Sequence, residues 1–225
     1  MIKLTYVGHS AFILSDGTNT IAVDPFITGN PTATIKASDV KPNFIFVSHA
    51  HGDHFGDTIE LAKANDATII TVHELATHLL SQGLKAHGLS IGGEFAFPFG
   101  SVKLTIAHHG SMNNDGMYMG PPCGAIITIG NKKIYYTGDT GLFLDMQLIG
   151  SSAKPDVMLL PIGNNYTMGI DDAVKAIEFV KPKLSIPLHY NTFPVIEVDT
   201  NEFASKVKAI NFDAKVMSFG ETIEL

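Results

Sequence analysis

The sequence predicts an α/β chain in which two sheets pack face to face with helices outside both, a four-layer αββα sandwich. Three observations carry that expectation. Each half of the chain runs from short apolar strand patterns into alternating helices and strands. The continuous apolar run 44–48 and the stretch 156–161, ending in Pro161, have the character of buried strands. No Pro/Ser-rich linker and no charge run interrupts the chain, so residues 1–225 read as one domain.

The elements follow in order. Residues 2–7, 11–14 and 19–24 are short apolar runs, and Ser15-Asp16-Gly17-Thr18-Asn19 is a strong turn signal, so the opening reads as a β-meander. After strand 44–48, a helical pattern runs from Phe55 to Asn65 with Ile59, Leu61 and Ala62 apolar. A strand at 68–72 and a helix from Glu74 to Ser81, stopped by Gly83, come next. Strands are expected at 94–97, 101–107, 124–129 and 132–137, a helical turn near 142–149, and a buried strand at 156–161 ending in Pro161. Asp171 and Asp172 suit a helix N-terminus and precede apolar Ala173, Val174, Ala176, Ile177 and Val180. Lys181-Pro182 ends that helix. A strand at 184–188, a helix from Asn201 to Ala209, and strands near 215–218 and 221–224 complete the chain.

Composition narrows the function. The formal net charge is −7, with 22 Asp+Glu against 15 Lys+Arg, which argues against a nucleic-acid partner held by phosphate contacts. No apolar run reaches the roughly 20 residues that span a bilayer, so no membrane partner is expected. The segment Met1-Ile2-Lys3-Leu4-Thr5-Tyr6-Val7 lacks a signal-peptide core, and the single Cys123 excludes an internal disulfide or a cysteine-rich zinc finger. A reduced, cytoplasmic setting is the simplest expectation. Against this background, 10 His is a high count.

The histidines concentrate where chemistry is built. His49-Ala50-His51-Gly52-Asp53-His54 follows the buried strand 44–48 and precedes a helix. In extended backbone, residues i and i+2 share a face, so His49 and His51 can reach one metal ion. The turn at Gly52 lets Asp53 and His54 face a second. His108-His109 follows strand 101–107, Asp139 lies in Tyr136-Thr137-Gly138-Asp139-Thr140, and His189 lies in Pro187-Leu188-His189-Tyr190-Asn191. Every candidate ligand thus sits just after a strand, where loops on one rim can assemble a site on a rigid scaffold.

This ordered set, His49-Ala50-His51-Gly52-Asp53-His54 and then His109, Asp139 and His189, resembles the metallo-β-lactamase superfamily over the whole chain. Gly8-His9-Ser10, Asp24-Pro25-Phe26, Gly29-Asn30-Pro31, Thr137-Gly138-Asp139-Thr140 and Pro187-Leu188-His189-Tyr190-Asn191-Thr192-Phe193-Pro194 are similar to one branch, the metal-dependent hydrolases related to ascorbate-6-phosphate lactonases. The resemblance implies the αββα fold and a dinuclear metal centre. Carried over, His49, His51 and His109 would hold one divalent ion, Asp53, His54 and His189 the other, and Asp139 would bridge them. His108 competes with His109; the small Gly110 after His109 matches the family pattern. Imidazole and carboxylate donors suit Zn²⁺ first, with Mn²⁺ or Fe²⁺ as alternatives. Cys123 is not at a ligand position, unlike the cysteine ligand of some zinc β-lactamases. His51 stands where the oxygen-reducing diiron branch usually has Glu.

The expected chemistry is hydrolysis of a small ester, lactone or phosphodiester by a hydroxide shared between two ions roughly 3.5–4 Å apart. Asp53 is expected to orient the nucleophile or shuttle its proton, and the metal charge to draw an anionic small-molecule substrate. An RNA-processing nuclease, an iron-dependent oxygenase and a non-enzymatic metal binder are the rival readings; self-association is left open. Around the ligands, Asp24 is the candidate orienter of a ligand histidine, with a turn-forming Asp-Pro as the alternative, and His9 a candidate rim residue. The glycine-rich stretch 110–124, with Met112, Met117, Tyr118 and Met119, is a candidate lid or binding loop. Asn164, Asn165, Tyr166 and Thr167 form a second candidate wall. Neither loop carries an Arg or Lys to clamp phosphate. His73, His78 and His87 read as surface residues, His87 in a turn.

Overall fold

The computed structural model describes residues 1–225. The chain opens with the antiparallel meander β1 (Lys3–Gly8), β2 (Ala11–Ser15) and β3 (Thr20–Val23). It then adds parallel strands β4 (Phe44–Phe46), β5 (Thr68–Val72) and β6 (Ala86–Leu89). Helices α1 (Gly52–Phe55) and α2 (Thr58–Asn65) join β4 to β5, and α3 (His73–Ser81) joins β5 to β6. The second half repeats the plan. β7 (Glu94–Phe97), β8 (Gly100–Ile106), β9 (Cys123–Ile129) and β10 (Lys132–Tyr136) form an antiparallel meander. α4 (Met146–Ala153), β11 (Val157–Pro161), α5 (Ile170–Val180) and β12 (Leu184–Leu188) extend it in parallel. α6 (Thr200–Ala209) follows, and β13 (Thr222–Glu224) returns to pair with β1.

Two sheets result, β13-β1-β2-β3-β4-β5-β6 and β12-β11-β10-β9-β8-β7. A core of 41 buried residues runs between their inner faces, with Leu4, Phe12, Phe46, Val102, Ile127 and Tyr136, and on under the helices of the first sheet, with Ile45, Leu61 and Leu75. Burying each large apolar side chain contributes roughly 1.5–3 kcal/mol relative to exposure. Aromatic rings tie the sheets together: Phe12 and Phe46 meet Tyr136 edge-on, with centroids 5.3 and 6.4 Å apart. A second cluster of 15 residues lies under α4, α5 and α6, among them Tyr135, Met158, Leu160, Ile177 and Phe203. The four-layer αββα expectation is met. No helix is long and apolar enough to cross a membrane.

The differences from the sequence reading have local causes. The helix expected over 55–65 is two helices broken at Gly56, whose φ is +38° and where a Cβ would lie 2.5 Å from the Pro25 carbonyl. Only glycine fits there. The helix expected near 142–149 begins at Met146, four residues later. β6 is a strand that periodicity did not reveal, since Ala86-His87-Gly88-Leu89 has no alternation. His87 therefore lies in that strand, not in a turn, and its ring packs 4.1 Å from Phe95. No strand forms over 215–218; that segment bonds to the sheet through Lys215 N–H to the Ser185 carbonyl.

Candidate metal centre

All the candidate residues leave strands at their C-terminal ends. His9 follows β1, Asp24 follows β3, and His49 and His51 follow β4, with Asp53 and His54 on α1. His109, Asp139 and His189 follow β8, β10 and β12. Three of these turns bend sharply: His9, Asp24 and His189 have φ of +56°, +40° and +54°. A non-glycine residue held in a sparsely populated region costs about 1–3 kcal/mol and persists only when its surroundings determine it. Here hydrogen bonds do so. The His9 carbonyl accepts from His189 N–H (2.9 Å) and from the Tyr6 hydroxyl (3.0 Å), and Asp24 N–H donates to the Phe46 carbonyl (2.9 Å).

The side chains converge in two groups. In the first, ring nitrogens of His49, His51 and His109 lie within 4.8 Å of one another. His49 Nε2 is 2.9 Å and His109 Nε2 3.3 Å from His51 Nδ1. Tetrahedral zinc with nitrogen ligands at about 2.0–2.1 Å holds its donors roughly 3.3 Å apart, so this spacing suits one ion. The second group is Asp53, His54 and His189, with His9 beside them. Asp139 joins the two: its Oδ2 is 2.9 Å from His189 Nε2, 3.2 Å from His54 Nε2 and 3.7 Å from His109 Nε2.

Asp24 braces this arrangement. Its fully buried carboxylate accepts from Ser48 N–H (2.7 Å), the Ser48 hydroxyl (2.5 Å), the Tyr136 hydroxyl (2.6 Å) and His54 Nδ1 (2.7 Å). The bond to Asp24 puts the His54 proton on Nδ1 and leaves Nε2 facing Asp139. Since the Ser48 hydroxyl donates to Asp24, it accepts from His49 Nδ1 (2.9 Å), which leaves the His49 Nε2 lone pair toward the first group. His9 spans Thr192 Oγ1 (2.9 Å) and Asp53 Oδ2 (3.1 Å), and its ring lies 4.1 Å from that of His189.

Burial lowers the His49, His51 and His109 basicities, and lowers His9 to about 4, so these rings are neutral, as metal ligation requires. His54 goes the other way. Burial alone would lower it, but Asp139 and Asp24 on either side raise it well above the usual histidine range. Burial would raise Asp139 and Asp53; the histidines facing them overcome it and hold both below the usual carboxylate range. The excess of carboxylate here calls for a cation. His54 Nε2 and Asp139 Oδ1, both buried at the middle, have no hydrogen-bond partner, which leaves them free to face a cation. The residues therefore fit divalent ions.

A cleft of about 410 Å³ opens onto the centre, with Tyr166, Phe193 and Val195 as its outer walls. Several sequence expectations need correction. His108 does not join either group; it is exposed and its ring packs on Phe143, 4.9 Å away, because strand β8 directs the next residue, His109, inward. Tyr118 does not line the cleft. The 111–119 segment folds on itself through the Met112–Tyr118 bridge, leaving Tyr118 70 % exposed. Asn164 and Asn165 are not wall residues either. Both adopt left-handed φ, +61° and +53°, and form the turn that presents Tyr166. Val195, Ser48 and Thr192 were missed: a valine, a serine and a threonine carry no chemical signal until the fold places them.

The family model for a beta-lactamase superfamily domain matches residues 3–189. A UPF0173 metal-dependent hydrolase of Carboxydothermus hydrogenoformans is 46 % identical, with all of both chains aligned. One from Pelotomaculum thermopropionicum is 47 % identical over the same full coverage. Among solved structures, Igni18, a metallo hydrolase from Ignicoccus hospitalis, superposes with a TM-score of 0.92 at 40 % identity, covering 99 % of this chain and 97 % of that one. The chain therefore belongs to the metallo-β-lactamase superfamily, within its UPF0173 group of metal-dependent hydrolases.

Proposed function

We propose that the chain hydrolyses a small ester, lactone or phosphodiester at a two-metal centre, with Zn²⁺ the first candidate metal. The observation that carries this reading is the pair of donor groups sharing Asp139. His49, His51 and His109 would hold one ion and Asp53, His54 and His189 the other, with Asp139 between them. Bound there, the ions would supply an acidified water and a Lewis acid for the substrate carbonyl or phosphoryl oxygen. Asp53, the partly exposed carboxylate at the cleft, would orient the attacking water or take its proton, and His9, donating from Nε2 to its Oδ2, supports that role. Asp24 and Ser48 keep His54 and His49 in the tautomers that present Nε2. The acidic composition and absence of a membrane-crossing helix fit a cytoplasmic enzyme of small molecules rather than of RNA.

The test is metal content after purification without chelator, then turnover of a panel of p-nitrophenyl esters, lactones and bis-p-nitrophenyl phosphate. Hydrolysis that disappears with the metal and returns on reloading is expected. Stoichiometric iron with oxygen uptake and no hydrolysis would favour the oxygenase reading, and no turnover by the fully metallated protein would sink the enzymatic one.

A further inference from the structure

Resting on the hydrolase reading above, we infer that the cleft selects a substrate whose distal part, away from the reacting bond, is uncharged and aliphatic or aromatic. The first observation is the distribution of cations. All 15 basic residues are lysines, and the chain has no arginine. The segments that build the site, 4–35, 42–62, 104–131, 134–153, 155–174 and 184–205, contain none of them. No lysine lines the cleft, and the loop carrying Phe193 and Val195 continues into acidic Glu197 and Asp199. An anionic tail reaching past the metals would therefore meet no lysine on the cleft wall. This bears on the anionic substrate expected from metal charge alone: the ions act at the reacting bond, while the tail is read by the walls.

The second observation is that the walls are apolar and held out rigidly. Tyr166 and Val195 are each 58 % exposed at the cleft mouth. Tyr166 sits on a turn made by two left-handed asparagines, closed by Asn164 N–H to the Met168 carbonyl (2.9 Å) and tied to the site loop by Met168 N–H to the Thr140 carbonyl (2.9 Å). Val195 sits on a turn anchored by the fully buried Ile196 and by Asn191, whose side chain bonds Val198 N–H (2.7 Å) and whose own N–H bonds the Ile196 carbonyl (2.9 Å). Phe193 packs edge-on against His9, with centroids 5.4 Å apart. Exposed apolar side chains on strained, well-bonded loops around a concave site are what an apolar ligand would cover.

The test uses a matched pair of amides that resist hydrolysis: hexananilide and adipic acid monoanilide, of equal chain length, the second ending in a carboxylate. Binding to the zinc-loaded protein is measured by calorimetry, with metal content checked in every variant. Hexananilide is expected to bind at least tenfold more tightly than the carboxylate analogue, and Val195→Asp and Tyr166→Ser each to weaken it by about tenfold at unchanged zinc. Equal or tighter binding of the carboxylate analogue, no binding of either up to millimolar concentration, or less than twofold change in both variants would overturn the inference. Were the amides to bind as expected while no ester of the same acids is hydrolysed, the failure would belong to the hydrolase reading, with the apolar selectivity intact.

Discussion

The two donor groups of the candidate metal centre are built differently. In the first group only His49 is braced from behind, through Ser48 to Asp24. His51 and His109 are half-buried, line the cleft, and find no protein acceptor for their outer ring nitrogens. In the second group His54 is fully buried and bonded to Asp24, and Asp53 is bonded to His9, which is fixed by Thr192. His189 is buried too, held by its backbone bond to His9 and by ring contact with it. The lesson is that in this second, inner half His54 and Asp53 are oriented by protein hydrogen bonds and His189 by burial and its backbone bond, its Nδ1 having no partner, whereas in the first, outer half His51 and His109 are half-buried and would be fixed only by an ion. Bracing hydrogen bonds of this kind are typically worth 10–100-fold in metal affinity.

Asp139 belongs to both halves, so its removal should have the largest effect. Asp139→Ala is expected to lower metal-dependent hydrolysis by at least about 10³-fold, the order seen when a member of an acting unit is deleted, with both ions lost in elemental analysis. A variant that keeps two ions and near-normal turnover would break the idea of a shared ligand. Next is Asp24→Asn, which places an amide among four donors. The inner site is expected to lose roughly 10–100-fold in zinc affinity, read by competition with a chromophoric chelator, while the outer site, braced only through Ser48 and His49, loses less. Equal loss at both sites would show that the halves are not distinct. A remote pair supplies the smallest effect. Burial would raise Asp156, but Lys183 (2.7 Å) and Lys133 N–H (2.9 Å) outweigh it and hold the carboxyl below its usual range. A depressed folded pKa stabilises the fold above the unfolded value of about 3.9 and is lost as pH falls through the folded one. Lys183 is exposed, so Asp156→Asn should cost under about 1 kcal/mol at pH 7. In thermal melts the difference from wild type should shrink as pH falls below about 3.9 and vanish below the lowered folded value.

Much of this was legible in the chain. Four ligand-type residues in six positions after a buried strand, and Asp139 and His189 after two others, announced a site because ligand chemistry uses few residue types. The meander and the alternating strands and helices announced the sandwich. What was not legible depended on direction and distance. The small Gly110 already favours His109 over His108; what the chain does not show is that His108 turns away to pack on Phe143. The helix break at Gly56 came from the Pro25 carbonyl, more than thirty residues away in sequence. Tyr166 was legible as a wall residue, but its apposition with Phe193 and Val195 is set only by topology, and Ser48 and Thr192 matter through hydrogen bonds that no local pattern encodes.

The central claim is that one site holds two ions in separable halves. Its most direct measurement is zinc stoichiometry by mass spectrometry of the folded protein, for wild type, His51→Ala and His54→Ala, after loading and desalting under identical conditions. Two ions in the wild type are expected, with one retained by His51→Ala, in the inner half, and a weaker, more readily chelated one by His54→Ala, in the outer half. A single ion in the wild type, or two ions retained in either variant, would contradict the account.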